Sequence, residues 1–451
     1  MKKKANLLGL VVLAFIALTS FAASTVGVFS TWDADLMNIE NVSQTGSGAY
    51  VAVLDTGLVP YWNEYFPKAR VATHLGTGFS QQVIFKVANL DPCGVSAEPG
   101  KLQQSTWVGS TGSTHGTHVA STILGYDYYS NFDAAAGFPL PPVTVRGIAP
   151  NVTVIPVKVL ADYQLPALPK CDNPGPIPSQ KVVFGTDEMI IAGIRYVTGL
   201  AKAGYRPMVI NMSLGGPDFT AGEKAAIDDA IANGVIVVAA AGNEGEFGMG
   251  FPGAYAPVIS AGAAGWTKEW LKPTDGNPRY RMWWLKYPFA PMLPNSGETA
   301  DPTSVNDLYV TEFSSRALAG QQLDVLAPGS WVRGPFPGDP GFSRLPWHSR
   351  GIGDLRGSQT NFFYVGGTSM ASPHVAAVAA LMLQKNPTLT QAQVETIIKS
   401  TALPVPPNGN RDIFDFDHPA TISWDGNCDG DPCDAVGAGF VLADAAIAAT
   451  P

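Results

Sequence analysis

The sequence has little positive charge and no basic block beyond the three lysines that follow Met1. Its 451 residues include 28 Lys and Arg against 37 Asp and Glu, a formal net charge of −9. Nucleic-acid binding through phosphate contacts needs a basic patch or stripe, so this pattern argues against it. Charged residues make up 14% of the chain and hydrophobic residues 46%, with no evident internal repeat or low-complexity tract. The composition predicts a globular chain with a large core, in one enlarged domain or in two or three.

Cysteine is also scarce. The four cysteines are Cys93, Cys171, Cys428 and Cys433. They allow three pairings, and local spacing favours Cys428 with Cys433 and Cys93 with Cys171. Disulfides persist mainly outside the cytoplasm, so these pairs would fit an oxidising compartment. No cysteine lies in the serine, histidine and aspartate motifs of the chain, which argues against a thiol nucleophile.

The first 23 residues combine a charged start with an apolar run. MKKK is followed closely by LLGLVVLAFIALTSFAA, which ends in the small residues Ala22 and Ala23. This pattern is typical of a cleaved secretory signal peptide. The alternative is an uncleaved anchor, because residues 7–29 carry no charge and could span a bilayer at about 1.5 Å per residue. Either way the rest of the chain is expected outside the cytoplasm, with membrane contact only if this segment is retained.

Apolar, β-branched runs alternate with helical patterns along the chain. The runs are typical of buried parallel strands, at 50–54, 152–159, 209–212 and 235–239. Helical patterns cover 119–124, 187–203 and 222–232. This alternation predicts an α/β fold with a doubly wound, mostly parallel sheet and helices on both faces. In such sheets functional residues gather beyond the carboxyl ends of the strands.

The run GTSMASPH, residues 367–374, is the most informative motif. It puts Ser369 where the alanine-rich stretch VAAVAALMLQ indicates a helix, and Gly366 and Gly367 permit a tight turn before it. The unpaired N–H groups and the dipole of a helix start can stabilise an oxyanion, which suits a nucleophilic serine. The surroundings do not read G-x-S-x-G, which argues against the nucleophile elbow of esterases and lipases.

A nucleophilic serine needs a base and a residue that orients the base, and both candidates lie upstream. THGTHVAS contains His115, and YVAVLDTG ends a β-branched segment near Asp55. VIVVAAAGNEG carries Asn243 just past another apolar strand, where its amide could donate to an oxyanion. The order Asp55, His115, Ser369 differs from that of chymotrypsin and of α/β-hydrolases. Each residue alone would be an ordinary cap or structural residue, but together they predict an acyl-transfer site.

With these four motifs the chain resembles the subtilisin-like serine proteases, the subtilase family. Lesser landmarks spread over about residues 47–446 are GIAPNVTVIPVKVL, VINMSLGG, FPGAYAPVISAGA, LDVLAPG and GAGFVLADAA. The resemblance implies a peptidase domain over residues 24–451, with insertions near 73–113, 161–186, 265–308 and 332–361. It also implies that Ser369 attacks the scissile carbonyl, His115 transfers the proton and Asp55 holds His115. Asn243 would complete the oxyanion hole.

The resemblance implies a wide, apolar specificity pocket as well. The residues that would line it are Ser213, Leu214, Gly215, Gly216, Ala240, Ala241, Gly242 and Gly250. Small residues there suit bulky apolar side chains, whereas Glu244 near the rim could accept a basic one, so broad cleavage is expected. The strand at 213–216 would pair with the extended backbone of a protein or peptide substrate. The expected protein is a secreted, monomeric serine endopeptidase that needs no cofactor for catalysis.

A structural calcium site is a further expectation. Acidic and amide side chains alternate in DGNCDGD, like the start of a calcium loop, but the later glutamate of such a loop is missing. The candidate ligands are Asp425, Asn427, Asp429 and Asp431. A solvated acidic turn clipped by a disulfide explains the pattern equally well. In addition, YWNEYFP at 61–67 replaces the segment that carries the family's usual calcium aspartate.

Several alternatives stay open. The aromatic insert RYRMWWLKYPFAPM, residues 279–292, could be a satellite core under a long loop or a contact surface for substrate, partner or membrane. Only about 30 residues separate the expected cleavage site from Asp55, so no inhibitory pro-domain is visible. The alternatives to a secreted enzyme are an inactive scaffold on the same fold and a membrane-anchored processing protease.

Overall fold

The structure is a computed structural model that describes most of the chain. The described residues are 27–87, 95–109, 114–128, 143–167, 179–270, 283–285, 304–337, 352–353, 362–415 and 418–451. The expected signal segment at 1–23 and the candidate pair Cys93 and Cys171 lie outside the described residues.

Strands and helices alternate through the described chain. In chain order the strands are β1 (Val28–Phe29), β2 (Tyr50–Asp55), β3 (Thr77–Val87), β4 (Val95–Ser105), β5 (Gly125–Tyr128), β6 (Val143–Arg146), β7 (Thr153–Lys158), β8 (Ala161–Leu165), β9 (Gln180–Phe184), β10 (Met208–Met212), β11 (Val235–Ala240), β12 (Ile259–Trp266), β13 (Leu308–Val310), β14 (Val325–Pro328), β15 (Val332–Pro335), β16 (Ile352–Gly353), β17 (Phe362–Val365), β18 (Gly409–Asp415), β19 (His418–Trp424), β20 (Asn427–Cys428) and β21 (Asp431–Pro432). The helices are α1 (Trp32–Leu36), α2 (Thr114–Leu124), α3 (Asp187–Lys202), α4 (Ala221–Ala232), α5 (Thr368–Lys385), α6 (Gln391–Thr401) and α7 (Ala443–Ala449). Within the described residues, no helix combines the length and the apolar character needed to cross a bilayer.

A nine-stranded, mostly parallel sheet organises the chain. Its order is β13-β12-β11-β10-β2-β7-β3-β4, with β14 also paired to β12. β2 lies between β10 and β7, and the pairs from β14 and β12 across to β3 are all parallel. β13 and β4 add antiparallel edges. The doubly wound α/β fold predicted from the sequence is confirmed.

Both faces of this sheet are buried, because alternate residues of a central strand enter different cores. In β2, Val51 and Val53 join the core that contains the apolar residues of α2 and α5. Ala52 and Leu54 join the core that contains those of α3 and α4. A strand buried on two faces needs a continuous apolar sequence. The run YVAVLD therefore explains why helices cover both sides of β2.

The predicted element boundaries agree closely with the structure except at α2. The apolar pattern indicates a helix from Val119, whereas the structure begins it at Thr114, so that His115 lies in its first turn. That first turn, THGT, contains no apolar residue, and hydrophobic periodicity therefore could not reveal it. By contrast, α3 and α4 each follow a threonine whose hydroxyl accepts an N–H group of the first turn, a strong signal for a helix start.

Two of the predicted insertions form hairpins that contact each other. β3 pairs antiparallel with β4, and β8 pairs antiparallel with β9. The ring of Phe85 on β3 lies 6.1 Å from that of Tyr163 on β8 and 5.9 Å from that of Phe184 on β9, centroid to centroid. The Tyr163 hydroxyl also donates to the carbonyl of Gln81 at 2.9 Å. The two insertions therefore share one aromatic contact.

The described part of the aromatic insert lies in the core. Trp283 and Trp284 are 4% and 1% exposed, and the N–H of Trp32 donates to the carbonyl of Trp284 at 2.9 Å. The Arg333 guanidinium lies 5.2 Å from the Trp284 ring and 4.4 Å from the Tyr364 ring, a stabilising cation–π arrangement. These contacts favour the satellite-core interpretation for the two tryptophans. The rest of the insert lies outside the described residues.

Truncating Trp284 to alanine should lower the free energy of unfolding by about 3–5 kcal/mol, because it leaves a cavity in the core beside Arg333. Denaturant unfolding of the full chain measures this change. Phe247→Ala is the matched control, since Phe247 is 83% exposed and its loss should change stability by less than about 0.5 kcal/mol. Equally small effects in both variants would contradict the packing of the insert described above.

Candidate active site

Asp55 and His115 form a hydrogen-bonded pair at the carboxyl end of β2. Asp55 is the last residue of β2 and is 0% exposed, and Nδ1 of His115 lies 2.8 and 2.9 Å from its two carboxylate oxygens. The N–H of Thr56 also donates to Oδ1 of Asp55, at 2.6 Å. Because a carboxylate only accepts hydrogen bonds, Nδ1 of His115 carries the proton. Its Nε2 is thereby left as the basic nitrogen of the neutral ring.

Opposing effects set the pKa of His115. Burial lowers this pKa, but the negative charge of Asp55 and its hydrogen bond to the ring raise it, and the net direction is upward. The side chain of His115 is 29% exposed whereas that of Asp55 is fully buried. The carboxylate of the pair is therefore inside the protein, whereas part of the imidazole is accessible.

Gly116 permits the close approach of α2 to β2. A Cβ atom at Gly116 would lie 2.5 Å from the carbonyl oxygen of Gly57 and 3.1 Å from Cβ of Asp55. Its N–H donates to the hydroxyl of Thr56 at 2.9 Å. A side chain at this position would push the helix away. The short distance between His115 and Asp55 therefore requires the glycine of THGT.

Ser369 is the second residue of α5 and is joined to the residue just after β10 by two reciprocal hydrogen bonds. The Ser213 hydroxyl donates to the carbonyl of Ser369 at 2.7 Å, and the Ser369 hydroxyl donates to the carbonyl of Ser213 at 3.2 Å. Within a helix the carbonyl of Ser369 would bond the N–H of residue 373, but that residue is proline and has none. Ser213 supplies the missing donor.

A buried polar network extends this tie. The Asn211 amide donates to the hydroxyl of Ser213 at 3.0 Å, and the Ser372 hydroxyl donates to the amide oxygen of Asn211 at 2.8 Å. All three side chains are buried. Sequence reasoning assigned Ser213 to the specificity pocket and missed its role beneath Ser369. The proline four residues after Ser369 was the available signal, because it leaves a carbonyl that needs another donor.

The Ser369 hydroxyl is not hydrogen-bonded to His115 in this structure. A hydroxyl has one proton, and here it is donated to Ser213. α2 and α5 pack against each other, which brings the two motifs to the same end of the sheet. Rotation about the Cα–Cβ bond of Ser369 would redirect the proton, and catalytic hydrogen bonds often tighten only when substrate is bound.

The side chain of Asn243 has one defined orientation. Its Oδ1 accepts the backbone N–H of Thr368 at 2.8 Å and lies 3.0 Å from the hydroxyl oxygen of Thr368. A backbone N–H can only donate, so Oδ1 must face Thr368 and the NH₂ group must face away from it. Gly367, with φ of +150°, caps the helix beside this contact. No residue of the described chain accepts the N–H of Ser369, so two donors are available near the nucleophile.

The residues predicted for the specificity pocket meet around Gly250. The N–H of Gly250 donates to the carbonyl of Ala241 at 2.9 Å, and a Cβ at Gly250 would lie 3.5 Å from the backbone N of Gly216. Four of the predicted residues are themselves buried, namely Ser213, Leu214, Ala240 and Ala241. Gly215 is exposed, and the half-buried ones are Gly216, Gly242 and Gly250. The part of the predicted pocket wall that solvent can reach therefore consists of glycine residues.

The predicted backbone pairing of substrate along 213–216 needs correction at one position. Gly216 exchanges two backbone hydrogen bonds with Phe251, at 2.9 and 2.8 Å. Its N–H is thus already used within the protein. The predicted pairing with a substrate strand is therefore left to Leu214 and Gly215.

The other motif histidines are buried structural residues. Nε2 of His118 donates to the carbonyl of Val332 at 3.1 Å, and burial lowers the pKa of His118 to about 3. His374 contacts the carbonyl of Met370 through Nδ1 at 2.8 Å and Asp33 through Nε2 at 3.0 Å. Asp33 thereby links α1 to α5, and no sequence motif predicted this contact.

The candidate calcium ligands near the C-terminus include two that make hydrogen bonds within their own turn. Oδ1 of Asp425 accepts the N–H of Asn427 at 3.0 Å, and Oδ1 of Asn427 accepts that of Gly430 at 2.9 Å. Asp429 has a φ of +51°, and Asp431 lies on β21. Nowhere in the described residues do three acidic or histidine side chains converge on a metal position.

The acidic turn is also cross-linked. Cys428 and Cys433 are joined in a disulfide with Cα atoms 5.8 Å apart. This is the local pairing that the spacing favours.

Comparisons with known proteins identify the class. A family model described as the subtilase family matches residues 46–422. Subtilisin DY of Bacillus licheniformis is 32% identical over 297 residues, which cover 64% of this chain and 71% of that protein. Subtilisin E of Bacillus subtilis (strain 168) is 31% identical over 295 residues, 64% of this chain and 51% of that protein. Subtilisin BL of Lederbergia lenta is 28% identical over 363 residues, 80% of this chain and 86% of that protein.

Solved structures agree at the level of the fold. S41 psychrophilic protease is similar with a TM-score of 0.51 and 21% identity, over 93% of this chain and 99% of that one. Sphericase is similar with a TM-score of 0.50 and 22% identity, over 91% and 97%. Together with the family model and the sequence relatives, this defines the chain as a serine-type endopeptidase. It belongs to the subtilase family.

Removing the hydroxyl of Ser213 should destabilise the start of α5. In Ser213→Ala the carbonyl of Ser369 and the amide of Asn211 both lose a partner, so the free energy of unfolding should fall by about 1–3 kcal/mol. Denaturant unfolding checks this. Ser400→Ala is the control, because Ser400 makes a similar hydroxyl-to-carbonyl bond, to Ile397 at 3.2 Å, on an exposed helix face. A loss for Ser213→Ala no larger than that of the control would refute the role given to Ser213.

Proposed function

We propose that this chain hydrolyses peptide bonds through a catalytic triad of Asp55, His115 and Ser369. The observation that carries the proposal is the contact of His115 Nδ1 with both oxygens of the buried Asp55, at 2.8 and 2.9 Å. That contact fixes the tautomer whose Nε2 can take a proton from a serine hydroxyl. Ser369 at the start of α5 supplies the nucleophile, since a helix N-terminus favours developing negative charge.

The proposed reaction has two halves. Ser369 Oγ bonds to the scissile carbonyl carbon while its proton passes to Nε2 of His115. The NH₂ group of Asn243 and the N–H of Ser369 donate to the oxyanion. The C–N bond then breaks, His115 gives its proton to the leaving amine, and an ester remains on Ser369. Water attacks that ester with His115 again as base, which releases the acid and restores the hydroxyl.

For substrates we propose broad specificity with a preference for bulky apolar side chains. The accessible, glycine-rich wall formed by Gly215, Gly216 and Gly250 supports this, because it leaves room beside an apolar interior. Basic side chains were the alternative through Glu244. However, Oε2 of Glu244 accepts the N–H of Asn243 at 2.6 Å and the hydroxyl of Ser315 at 3.0 Å. These bonds engage Oε2 of Glu244 within the protein, which disfavours that alternative in this pocket.

We further propose that the enzyme is a secreted monomer that acts on proteins or peptides and does not bind nucleic acid. The basic start and apolar run of residues 1–23 support export and cleavage. The net charge of −9 supports a monomer and argues against nucleic-acid binding. N-terminal sequencing of the exported protein distinguishes a cleaved signal from a retained anchor. If the anchor is retained, the enzyme would be membrane-bound.

Catalysis is proposed to need no cofactor, since each step of the reaction uses side chains of the chain itself. Structural calcium at the acidic turn is not supported, because oxygens of Asp425 and Asn427 accept backbone N–H groups of the turn. No step of the proposed reaction depends on the ion.

Ser369→Ala should reduce casein hydrolysis to the level of buffer, because the variant has no nucleophile. Circular dichroism and the unfolding midpoint establish that the variant is folded. Absence of hydrolysis by folded wild-type protein would instead favour the inactive scaffold.

The acid limb of the kcat/KM profile should have its midpoint above the ordinary imidazole value of about 6.5, because Asp55 raises the pKa of His115. Activity therefore rises with pH through that midpoint, as His115 loses its proton. Asp55→Asn should shift the midpoint to lower pH, since burial then acts alone, and should lower kcat by roughly 10⁴-fold. An unshifted midpoint in a folded variant would contradict the assigned pair.

A further inference from the structure

A second pair of a carboxylate and a histidine lies beside the nucleophile. His374 follows Ser369 by about one and a half turns of α5, and its side chain is fully buried. Its Nε2 lies 3.0 Å from Oδ2 of Asp33, and its Nδ1 lies 2.8 Å from the carbonyl oxygen of Met370. The side chain of Asp33 is 9% exposed. The reaction proposed above uses neither Asp33 nor His374.

Both ring nitrogens of His374 face acceptors. A carbonyl oxygen only accepts hydrogen bonds, so Nδ1 carries a proton toward Met370. An ionised carboxylate also only accepts, so Nε2 carries a second proton toward Asp33. A neutral imidazole has one N–H and can donate to only one of these two acceptors. His374 is therefore the cation of a buried ion pair, and each charge of the pair depends on the other in the interior.

The charges of this pair oppose each other at the neighbouring histidine. The pKa of His118 is lowered by burial and by the charge of His115, whereas Asp33 raises it and His374 lowers it. Two opposite charges side by side largely cancel at a distance. The pair is therefore better suited to hold a position than to supply charge to the reaction.

The position that His374 holds is the first turn of α5. The carbonyl of Met370 accepts the Nδ1 proton of His374, and the preceding carbonyl, of Ser369, accepts the hydroxyl of Ser213. Consecutive carbonyls of this turn are thus supported from two sides of the helix start. The hydroxyl and the N–H of Ser369 belong to the same turn, so a small tilt would displace both the nucleophile and an oxyanion donor. Misplacement by about 1 Å can cost about 10²-fold in rate.

Asp33 lies on a segment that is anchored on both sides of it. All five residues of α1 are buried. The N–H of Trp32 donates to the carbonyl of Trp284, and the carbonyl of Met37 accepts the N–H of Ala443, both at 2.9 Å. A carboxylate between two fixed backbone points has little freedom to follow the imidazole, so Asp33 determines where the ring of its partner lies.

We propose that Asp33 is a positioning residue for catalysis, which sets the first turn of α5 through His374 and Met370. It contacts neither the substrate nor the reacting atoms. The inference rests on the proposed peptide hydrolysis by Ser369. It makes the catalytic geometry dependent on a segment that precedes all three residues of the triad in the sequence.

The protonation of His374 tests the pair without a measurement of activity. In protein labelled with ¹⁵N at histidine, NMR at pH 6 should show protons on both ring nitrogens of wild-type His374. Asp33→Asn should leave one proton, because burial disfavours an unpaired imidazolium. His74, which is exposed, should give the same signal in both proteins, and His374→Gln identifies the resonance by its loss. A single proton on wild-type His374 would overturn the proposal.

Kinetics tests whether the pair positions Ser369. On a peptide substrate, Asp33→Asn should lower kcat about tenfold and change KM less than about twofold, since the contacts with substrate are kept. Affinity for a peptide boronate, which bonds to Ser369 Oγ, should fall by a similar factor. Asp444→Asn is the matched control, because its carboxylate binds Asn38 of the same segment at 3.3 Å rather than His374. This variant should keep kcat within about twofold of wild type.

A double-mutant cycle identifies the route from Asp33 to the nucleophile. His374→Gln should lower kcat to a similar extent, and the double variant Asp33→Asn/His374→Gln should be no slower than either single variant, because both changes remove one support. Asp33→Glu keeps the charge and should recover part of the loss. Losses that add in the double variant would show that Asp33 acts elsewhere and would overturn the proposal.

The outcomes separate this proposal from the proposed function. An unchanged kcat in folded Asp33→Asn, or an equal loss in Asp444→Asn, rejects the positioning role and leaves peptide hydrolysis by Ser369 intact. Absence of cleavage by folded wild-type enzyme rejects the proposed function instead. If Asp33→Asn does not fold, the wild-type NMR spectrum and the kinetics of His374→Gln decide the question.

Discussion

The carbonyl of Ser369 is the group on which the arrangement of the nucleophile depends. Pro373 removes the helical donor that would satisfy it, so the donor must come from another element, and Ser213 at the end of β10 provides it. Asn211 and Ser372 then connect the same contact to the buried interior. A helix start is ordinarily free to fray, but this one is fixed to the central sheet at the residue that is proposed to react.

The other polar groups of the site are also held by a few specific contacts. Asp55 acts from a fully buried position, where the low dielectric strengthens its effect on His115. The side chain of Asn243 is held by Thr368, so the orientation of the proposed oxyanion donor depends on the helix that carries Ser369. Nucleophile and amide therefore share one support. His115 has a different one, through α2 and the glycine that lets it approach β2.

Much of the fold and part of the site could be predicted from the sequence. The strand of Asp55 was evident because burial on two faces demands an unbroken apolar run, and the site residues were evident from their order and motifs. The start of α2 was not, because THGT has no apolar residue. The bond between Gly216 and Phe251 was hidden as well, since pairing between distant backbones carries no side-chain signature. The ion pair of Asp33 with His374 depends on how α1 docks beside α5, and no motif links two residues so far apart in the sequence.

The contact between the two inserted hairpins limits how they can be inserted into or deleted from the chain. An isolated two-stranded hairpin is only marginally stable in water, yet Phe85 on one meets Tyr163 and Phe184 on the other. Each hairpin thus supplies the apolar cover that the other lacks, although their sequences lie far apart. They are best regarded as a single structural module encoded in two pieces. A shortened version of the enzyme would have to remove both pieces together or replace the three aromatic rings.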